Sequence, residues 1–286
     1  MAHDTMTQAK AGGITRFFAA CLMGGLLVLA AQAKPLAPAY VQIPEGQFTS
    51  LLPPDGKQAK AQVAQFSMRV LPVTQGEFAA FVHQHPAWQR SIKMGSALAD
   101  SRYLAQWPNE VGWNKGSPQA AQPITQVSWF ASSAFCQSEG ARLPTWHEWE
   151  YVAAASARER DARANPQWRE RILAWYGQTS KTLDSVGLSS KNAYGVHDLH
   201  GLIWEWVDDF GAMMVSGDNR TQGDPDILQF CGAGALSAND RENYPVLMRM
   251  AMLSAMQAAS TNRNLGFRCV RDAPAERPTK TPRRKK

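Results

Sequence analysis

The cysteines are the side chains of this chain best suited to nucleophilic or soft-metal chemistry. The sequence holds Cys21, Cys136, Cys231 and Cys269. Cys231 lies in the glycine-rich stretch 230–235, where a thiolate could act as a nucleophile, a metal ligand or half of a mixed disulfide. The alternative is that Cys231 is a small buried hydrophobe. Cys231 is therefore a candidate for catalysis and for metal binding.

Three methionines follow in close succession near the C-terminus. Met248, Met250 and Met252 alternate along the chain, so they would line one face of a strand. Thioether and thiolate ligands together select Cu(I), and Cys231 with this stripe could form a copper site. Methionine stripes are more common in hydrophobic cores, which is the alternative.

Other catalytic signatures are absent from the sequence. It has no glycine-rich phosphate loop, no dinucleotide-binding fingerprint and no serine nucleophile elbow. The sequence therefore gives no indication of a nucleotide-dependent enzyme or a serine hydrolase.

The first 33 residues predict a secretory signal peptide. Lys10 and Arg16 precede an apolar run over residues 17–31, which ends in a small-residue cleavage site before Lys34. A retained anchor is the alternative, although the run is short for a membrane span. We expect a periplasmic protein with no membrane span after cleavage. Loss of Cys21 leaves three cysteines, which predicts one disulfide of undetermined pairing and one further thiol.

Most of the net charge of +6 belongs to the C-terminal residues 274–286. This proline-rich, basic tail is predicted to be disordered. The segment between leader and tail is close to neutral, so the charge does not predict a nucleic-acid partner. An acidic partner or a membrane surface for the tail is the alternative.

Capping signals divide residues 34–273 into short elements. Alternation over residues 40–48 and 65–70 predicts two strands, the first at a sheet edge. Thr74 with Glu77, and Thr145 with Glu148, form capping boxes at helix starts, and Ser128 is a third N-cap. Long aperiodic stretches separate these elements. The pattern predicts one α+β domain with little regular secondary structure.

Six segments in order resemble the formylglycine-generating enzymes, also called sulfatase-modifying factors. Together they span residues 40 to 272, and their order and spacing make the resemblance specific for the fold. The segments are Pro72-Val73-Thr74, residues 123–129, residues 136–151, residues 192–195, Gly201 with Trp204-Glu205-Trp206, and residues 264–269.

The resemblance implies a fold, a disulfide and a calcium site. The family fold is a single domain, related to C-type lectins, with low secondary-structure content. Cys136 and Cys269 match a family disulfide, the alternative being two buried free thiols. The calcium ligands would be the carboxylates of Asp198 and Glu205 with main-chain carbonyls between them. These carbonyls belong to Gly201 and Ile203. Alternatively, Glu205 pairs with a buried arginine.

The copper-binding cysteines of the catalytic family members are missing from this chain. Counting back from Cys269, their positions hold Asp240 and Pro245, and neither can supply a thiolate. A second family disulfide is also absent, with Ala153 and Met250 in its place. Both cysteines of that second disulfide are missing together, which supports this matching of positions to the family.

Three functions follow as hypotheses. Residues 196–210 and 230–235 resemble an exported subgroup encoded beside copper nitrite reductases, which implies an accessory or maturation factor for a periplasmic copper or respiratory enzyme. Its partner would be a protein or peptide. The second hypothesis is an oxidoreductase acting on a peptide or siderophore precursor through Cys231, Glu205 or a metal. The third is a binding module that uses Trp129, Trp204 and Trp206.

Overall fold

Helices and strands of this protein are short, and long irregular segments connect them. The computed structural model describes residues 39–50, 60–176, 182–213 and 244–274, which belong to one compact unit. The strands are β1 (Tyr40–Ile43), β2 (Gly46–Phe48), β3 (Ala61–Val63), β4 (Phe66–Arg69), β5 (Trp204–Glu205), β6 (Leu265–Gly266) and β7 (Val270–Asp272). The helices are α1 (Gln75–Gln84), α2 (Arg90–Lys93), α3 (Trp129–Ser138), α4 (Trp146–Ala153), α5 (Pro166–Tyr176) and α6 (Tyr244–Ser254). The predicted mixture of helix and strand with little regular structure is confirmed.

Two predicted segments fall largely outside this description. The signal peptide, residues 1–33, and the basic tail beyond residue 274 are not among the described residues, so both stay predictions. None of the described helices combines the length and the apolar character needed to cross a membrane.

The three predicted N-caps are confirmed. Thr74 and Glu77 exchange side-chain and backbone hydrogen bonds at the start of α1. Thr145 and Glu148 do the same at the start of α4. Ser128 accepts a hydrogen bond from a backbone amide in the first turn of α3. Each cap satisfies amides that have no partner inside the helix, so these helix starts are set by local sequence.

Removing one cap should destabilise the protein measurably. Thr145→Ala is expected to lower the free energy of unfolding by about 1 kcal/mol, because the amide of Glu148 loses its acceptor. Thr145→Ser keeps the hydroxyl and should stay close to the parent. Urea unfolding curves measure both variants. Equal losses for the alanine and serine variants would contradict the capping role.

Two small sheets bring the C-terminal segment against the N-terminal half. In the first, β4 pairs antiparallel with β1 on one side and β7 on the other, so β1 is an edge strand as predicted. In the second, β5 and β6 run parallel and pair Glu205 with Gly266. This second pairing places Glu205 close to the residues that follow β6.

The predicted disulfide between Cys136 and Cys269 is present. It joins α3 to the residue before β7, across 133 residues of sequence, with the Cα atoms 5.5 Å apart. Both residues are fully buried. The alternative of two free thiols is therefore wrong.

The core around this bridge is aromatic and tightly packed. The Phe267 ring lies 5.4 Å from Phe135 and 6.1 Å from Phe78, measured between centroids. The neighbouring Gly266 has no room for a side chain, because a Cβ atom there would lie 2.0 Å from the carbonyl oxygen of Ile124. Glycine at this position lets β6 pack directly against the backbone of the preceding segment.

Candidate functional site

A buried ion pair lies beside the paired strands β5 and β6. The side chains of Glu205 and Arg268 are both 0% exposed. The Nε of Arg268 is 3.0 and 2.9 Å from the two carboxylate oxygens, and Nη2 is 2.8 Å from Oε1. The indole Nε1 of Trp149 donates to Oε2 at 2.8 Å. Both oxygens of Glu205 are therefore held by donors from the protein.

Arg268 also ties this pair to the first sheet and to the loop before β5. Its Nη1 donates to the carbonyl of Arg69 at 3.2 Å, and its Nη2 donates to the carbonyl of His197 at 2.9 Å. Charged groups are tolerated in a core when they are paired and hydrogen-bonded in this way. The guanidinium therefore cross-links three separate segments of the chain.

A second buried arginine connects α6 to the same cluster. The side chain of Arg249 is 1% exposed, and its guanidinium carbon lies 3.6 Å from the ring centroid of Trp149. It also donates to the main-chain carbonyl of Glu205. Glu205 thus serves as a counterion among buried groups, and its carboxylate is not accessible to a substrate.

The predicted calcium ligands have other partners. They are Asp198, Gly201, Ile203 and Glu205. The Asp198 carboxylate accepts from the amide of Gly187 and from the hydroxyl of Ser189, each at 2.5 Å. Glu205 faces Arg268, whereas calcium needs six to eight oxygens directed at it. As arranged, these residues do not fit a calcium ion, and calcium binding stays a prediction.

The methionine stripe lies on a helix, and the strand interpretation is wrong. Side chains two positions apart on a helix point about 200° apart, so the three do not share a face. Met250 is buried, Met252 is partly buried and Met248 is 37% exposed. The buried positions Val246, Met250 and Leu253 follow helical spacing. The three methionines therefore do not form a single face of ligands, although Met248 and Met252, four residues apart, lie on one side of α6. A copper site stays a prediction.

The positions of the missing cysteines are only partly described. Cys231 and Asp240 lie outside the described residues. Pro245 is the second residue of α6, where the absence of an amide hydrogen is tolerated. Ala153 and Met250, at the second disulfide's positions, both belong to the main hydrophobic core. Apolar packing thus replaces that bridge.

Two of the three tryptophans considered as surface contacts donate their indole N–H to a main-chain carbonyl of the protein. Trp206 is fully buried, and its Nε1 donates to the carbonyl of Val127 at 3.0 Å. The Nε1 of Trp129 donates to the carbonyl of Val207 at 3.0 Å. Trp204 is partly buried. Trp206 is therefore excluded as a surface contact, while Trp129 and Trp204 keep part of their surface exposed.

His200 is a partly buried histidine next to this cluster. Its Nε2 lies 2.9 Å from the carbonyl oxygen of Ala153, so Nε2 carries the proton and Nδ1 keeps a lone pair. The ring makes edge contacts at 5.6 Å with both Trp149 and Trp168. Burial, with a smaller contribution from Arg249, lowers the pKa of His200 from 6.5 to about 4. The imidazole is therefore neutral at neutral pH.

This shift predicts a specific loss of stability in acid. Because the folded-state pKa of His200 is about 4 and the unfolded value is 6.5, the unfolded state binds more protons between these values. Stability should fall as the pH drops from 6.5 through 4, by at most about 3 kcal/mol from this residue. His200→Phe should remove that part of the loss. Parallel stability curves of the two proteins between pH 7.5 and pH 4, from urea unfolding, would contradict it.

A groove lined by side-chain amides lies elsewhere on the protein. Its volume is about 450 Å³. We define this amide groove by Gln75, Gln106, Gln122, Gln126, Asn264 and Trp113. Each amide can donate and accept, which matches the hydrogen-bonding groups of a polypeptide backbone. Three amides are held in position by the protein. Gln75 accepts from Trp107 at 2.6 Å, Gln122 donates to the carbonyl of Leu183 at 2.7 Å, and Gln106 donates to the carbonyl of Thr125 at 3.3 Å.

Unusual backbone geometry borders the amide groove. Gln126 and Leu104 are not glycines but have φ values of 56° and 50°. The amide of Leu104 donates to the carbonyl of Gln126 at 2.9 Å, so the two conformations support each other. Such conformations are unfavourable for ordinary residues and concentrate at functional sites. This geometry singles out the groove as a candidate binding surface.

Comparison with known proteins identifies the family. The model of the sulfatase-modifying factor enzyme 1-like domain matches residues 27–273. The chain belongs to this family. The mouse "Inactive C-alpha-formylglycine-generating enzyme 2" is 25% identical over 277 residues, covering 82% of this chain and 86% of the relative. The formylglycine-generating enzyme of Streptomyces coelicolor is 26% identical over 280 residues, covering 82% of this chain and 89% of the relative.

This chain also shows a weaker similarity to solved structures. PvdO from Pseudomonas aeruginosa superimposes with a TM-score of 0.45 and 19% identity, covering 82% of this chain and 95% of PvdO. The sequence match therefore carries the family membership. The family resemblance inferred from the sequence is confirmed at this level.

The sequence analysis identified neither the amide groove nor the buried Arg249. The four glutamines of the groove are spread over residues 75–126, and only the fold collects them. Arg249 had a signal: it is the single charge in the apolar run 245–253. A lone arginine in such a run indicates a buried, partnered guanidinium.

Proposed function

We propose that this family member is an exported accessory or maturation factor that binds a periplasmic copper or respiratory enzyme, and that it does not oxidise a cysteine substrate. The observation that carries the proposal is the replacement of the two thiolate ligands by Asp240 and Pro245, with Pro245 inside the first turn of α6. No soft-metal ligand is available at these positions. The resemblance of residues 196–210 and 230–235 to the subgroup encoded beside copper nitrite reductases supplies the client class.

The amide groove is the proposed contact for the client. An extended segment of the client would exchange backbone hydrogen bonds with the exposed amide of Asn264, while Trp113 would cover an apolar side chain. The partner is thus a protein or peptide and not a nucleic acid. We also propose, from the family resemblance, that the fold is related to that of C-type lectins.

Copper and calcium binding are two predictions that remain to be tested. Cys231 is the candidate copper ligand. Calcium binding through Asp198 and Glu205 would require both carboxylates to leave their present partners. Loading the chain with Ca(II) and, under anaerobic conditions, with Cu(I) measures both metals directly. Copper that is lost in Cys231→Ser would support a role in copper delivery. The oxidoreductase alternative is not favoured, because Glu205 is a buried counterion.

Copper loading of a client enzyme tests the function. A copper nitrite reductase would be produced in cells that export this chain and in cells that lack it, and its copper content per protein would be measured. We expect several-fold less copper in its absence, and restoration by the parent chain. Trp113→Ala should restore it poorly, whereas Arg158→Met, an exposed position outside the groove, should restore it fully. Equal copper content with and without the chain would contradict the proposal.

A further inference from the structure

Arg263 is the single charged side chain among the described residues that line the amide groove. The other lining residues carry amide, hydroxyl, indole or aliphatic side chains. Arg263 and Asn264 are both exposed, so a bound molecule can reach them. Gln75 and Gln126, by contrast, are only 3% and 5% exposed. The most accessible polar groups of the groove therefore lie on the turn that carries Arg263 and Asn264.

This turn is fixed by hydrogen bonds on both sides of Arg263. The carbonyl of Asn262 accepts from the amide of Gln126 at 3.0 Å, and the carbonyl of Asn264 accepts from the amide of Trp204 at 2.7 Å. The side chain of Asn262 also accepts from the amide of Asn264 at 3.0 Å. The backbone that carries Arg263 is therefore preorganised, which lowers the entropy cost of binding at this point.

No acidic side chain balances the charge of Arg263 in the described part of the chain. Arg263 forms no ion pair there, and no described lining residue of the groove is an aspartate or a glutamate. Asp100 lies close to the same loop, but its carboxylate accepts from the hydroxyl and the amide of Thr261. Asp184 follows the lining residue Leu183 without lining the groove itself. A carboxylate that enters the groove would thus meet a guanidinium and no opposing charge in the lining.

We propose that the amide groove selects an extended client segment that carries an aspartate or glutamate side chain. The carboxylate pairs with Arg263, because a guanidinium matches the geometry of its two oxygens. The neighbouring backbone of the segment bonds to Asn264, and Trp113 covers an apolar side chain. This inference rests on the proposed function, since it names the chemistry of the client that the groove contacts. The amides alone would not discriminate by charge, whereas Arg263 does.

Binding of short peptides to the chain without its leader, measured by calorimetry, tests this selection. Each peptide is blocked at both ends, so that its only carboxylate belongs to a side chain. It contains one phenylalanine, with glutamate, glutamine or lysine placed in turn at each flanking position. We expect the best glutamate peptide to bind about fivefold more tightly than its glutamine counterpart, an advantage typical of a solvent-accessible ion pair. The advantage should shrink when the salt concentration rises from about 50 mM to about 500 mM.

Variants of Arg263 separate the effect of charge from that of shape. Arg263→Gln should remove the advantage of glutamate over glutamine and leave binding of the glutamine peptide unchanged. Arg263→Glu should reverse the preference, so that the lysine peptide binds best. Arg158→Glu makes the same charge change at an exposed position outside the groove and should keep the preference for glutamate. Circular dichroism checks that all three variants are folded.

Three results would overturn the inference. They are equal affinity of the parent chain for all the peptides, no binding of any of them at millimolar concentration, and a preference for glutamate that Arg263→Glu leaves unchanged. Copper loading of the client separates this failure from failure of the proposed function. Full restoration by Arg263→Gln, with poor restoration by Trp113→Ala, would contradict the charge selection and leave the accessory role standing. Equal copper content with and without the chain would contradict the accessory role alone.

Discussion

Arg268→Met is expected to lower the free energy of unfolding by about 3–5 kcal/mol, the largest effect of any single substitution considered for this chain. The substitution leaves the carboxylate of Glu205 buried without its counterion, although Trp149 still donates to one oxygen. It also removes the donors to the carbonyls of Arg69 and His197. Urea unfolding followed by tryptophan fluorescence measures the change.

Two further variants separate the ion pair from general damage to the core. Adding Glu205→Gln to Arg268→Met removes the uncompensated charge, so the double variant should be more stable than Arg268→Met alone. Arg158→Met changes an exposed arginine and should stay within about 0.5 kcal/mol of the parent. A double variant no more stable than Arg268→Met would show that the buried charge is not the cause.

Loss of the disulfide is expected to cost about 4–5 kcal/mol, because Cys136 and Cys269 close a loop over 133 residues of sequence. Cys136→Ala with Cys269→Ala in one chain tests this without leaving one half of the bridge as a new free thiol. Cross-linking restricts the unfolded chain, and the restriction grows with loop length in the chain-entropy model. We expect a lower urea midpoint and a lower melting temperature.

The control for this prediction is Cys231→Ala, which leaves the bridge intact and should change the urea midpoint little. Reduction of the parent chain should reproduce the effect of the double variant. A double variant within 1 kcal/mol of the parent would mean that the bridge contributes little to stability.

Local signals in the sequence determined several elements correctly. The starts of α1, α3 and α4 depend on Thr74, Ser128 and Thr145 with amides within three residues, so a short motif contains the whole interaction. Over the five residues 248–252, in contrast, three methionines at every second position are too short a pattern to separate a strand from a helix. The helical spacing of Val246, Met250 and Leu253 was the better guide.

Long-range features were predicted only where the family resemblance supplied them. It paired Cys136 with Cys269, which composition alone left undetermined. The partner of Glu205 is 63 residues away, and only the pairing of β5 with β6 brings Arg268 within reach. The amide groove has no local signature, because it combines residues from separate segments.

In this domain of the sulfatase-modifying factor family, the charged groups at the centre stabilise the fold. Glu205 and Arg268 neutralise each other in the core, and Arg249 packs on Trp149 beside them. At the positions where the family resemblance predicts copper-binding cysteines, this chain has Asp240 and Pro245, which cannot bind copper through sulfur. We propose on this basis that the chain binds a client and does not oxidise cysteine.

Oxygen uptake tests that claim most directly. Residues 34–286 would be loaded anaerobically with Cu(I), mixed with a cysteine peptide and exposed to dioxygen, with the Streptomyces coelicolor formylglycine-generating enzyme as the positive control. We predict that this chain consumes no more dioxygen than copper in buffer and leaves the peptide mass unchanged. Turnover of the peptide by the parent chain, lost in Cys231→Ser, would contradict the account and identify an oxidase with a relocated thiol.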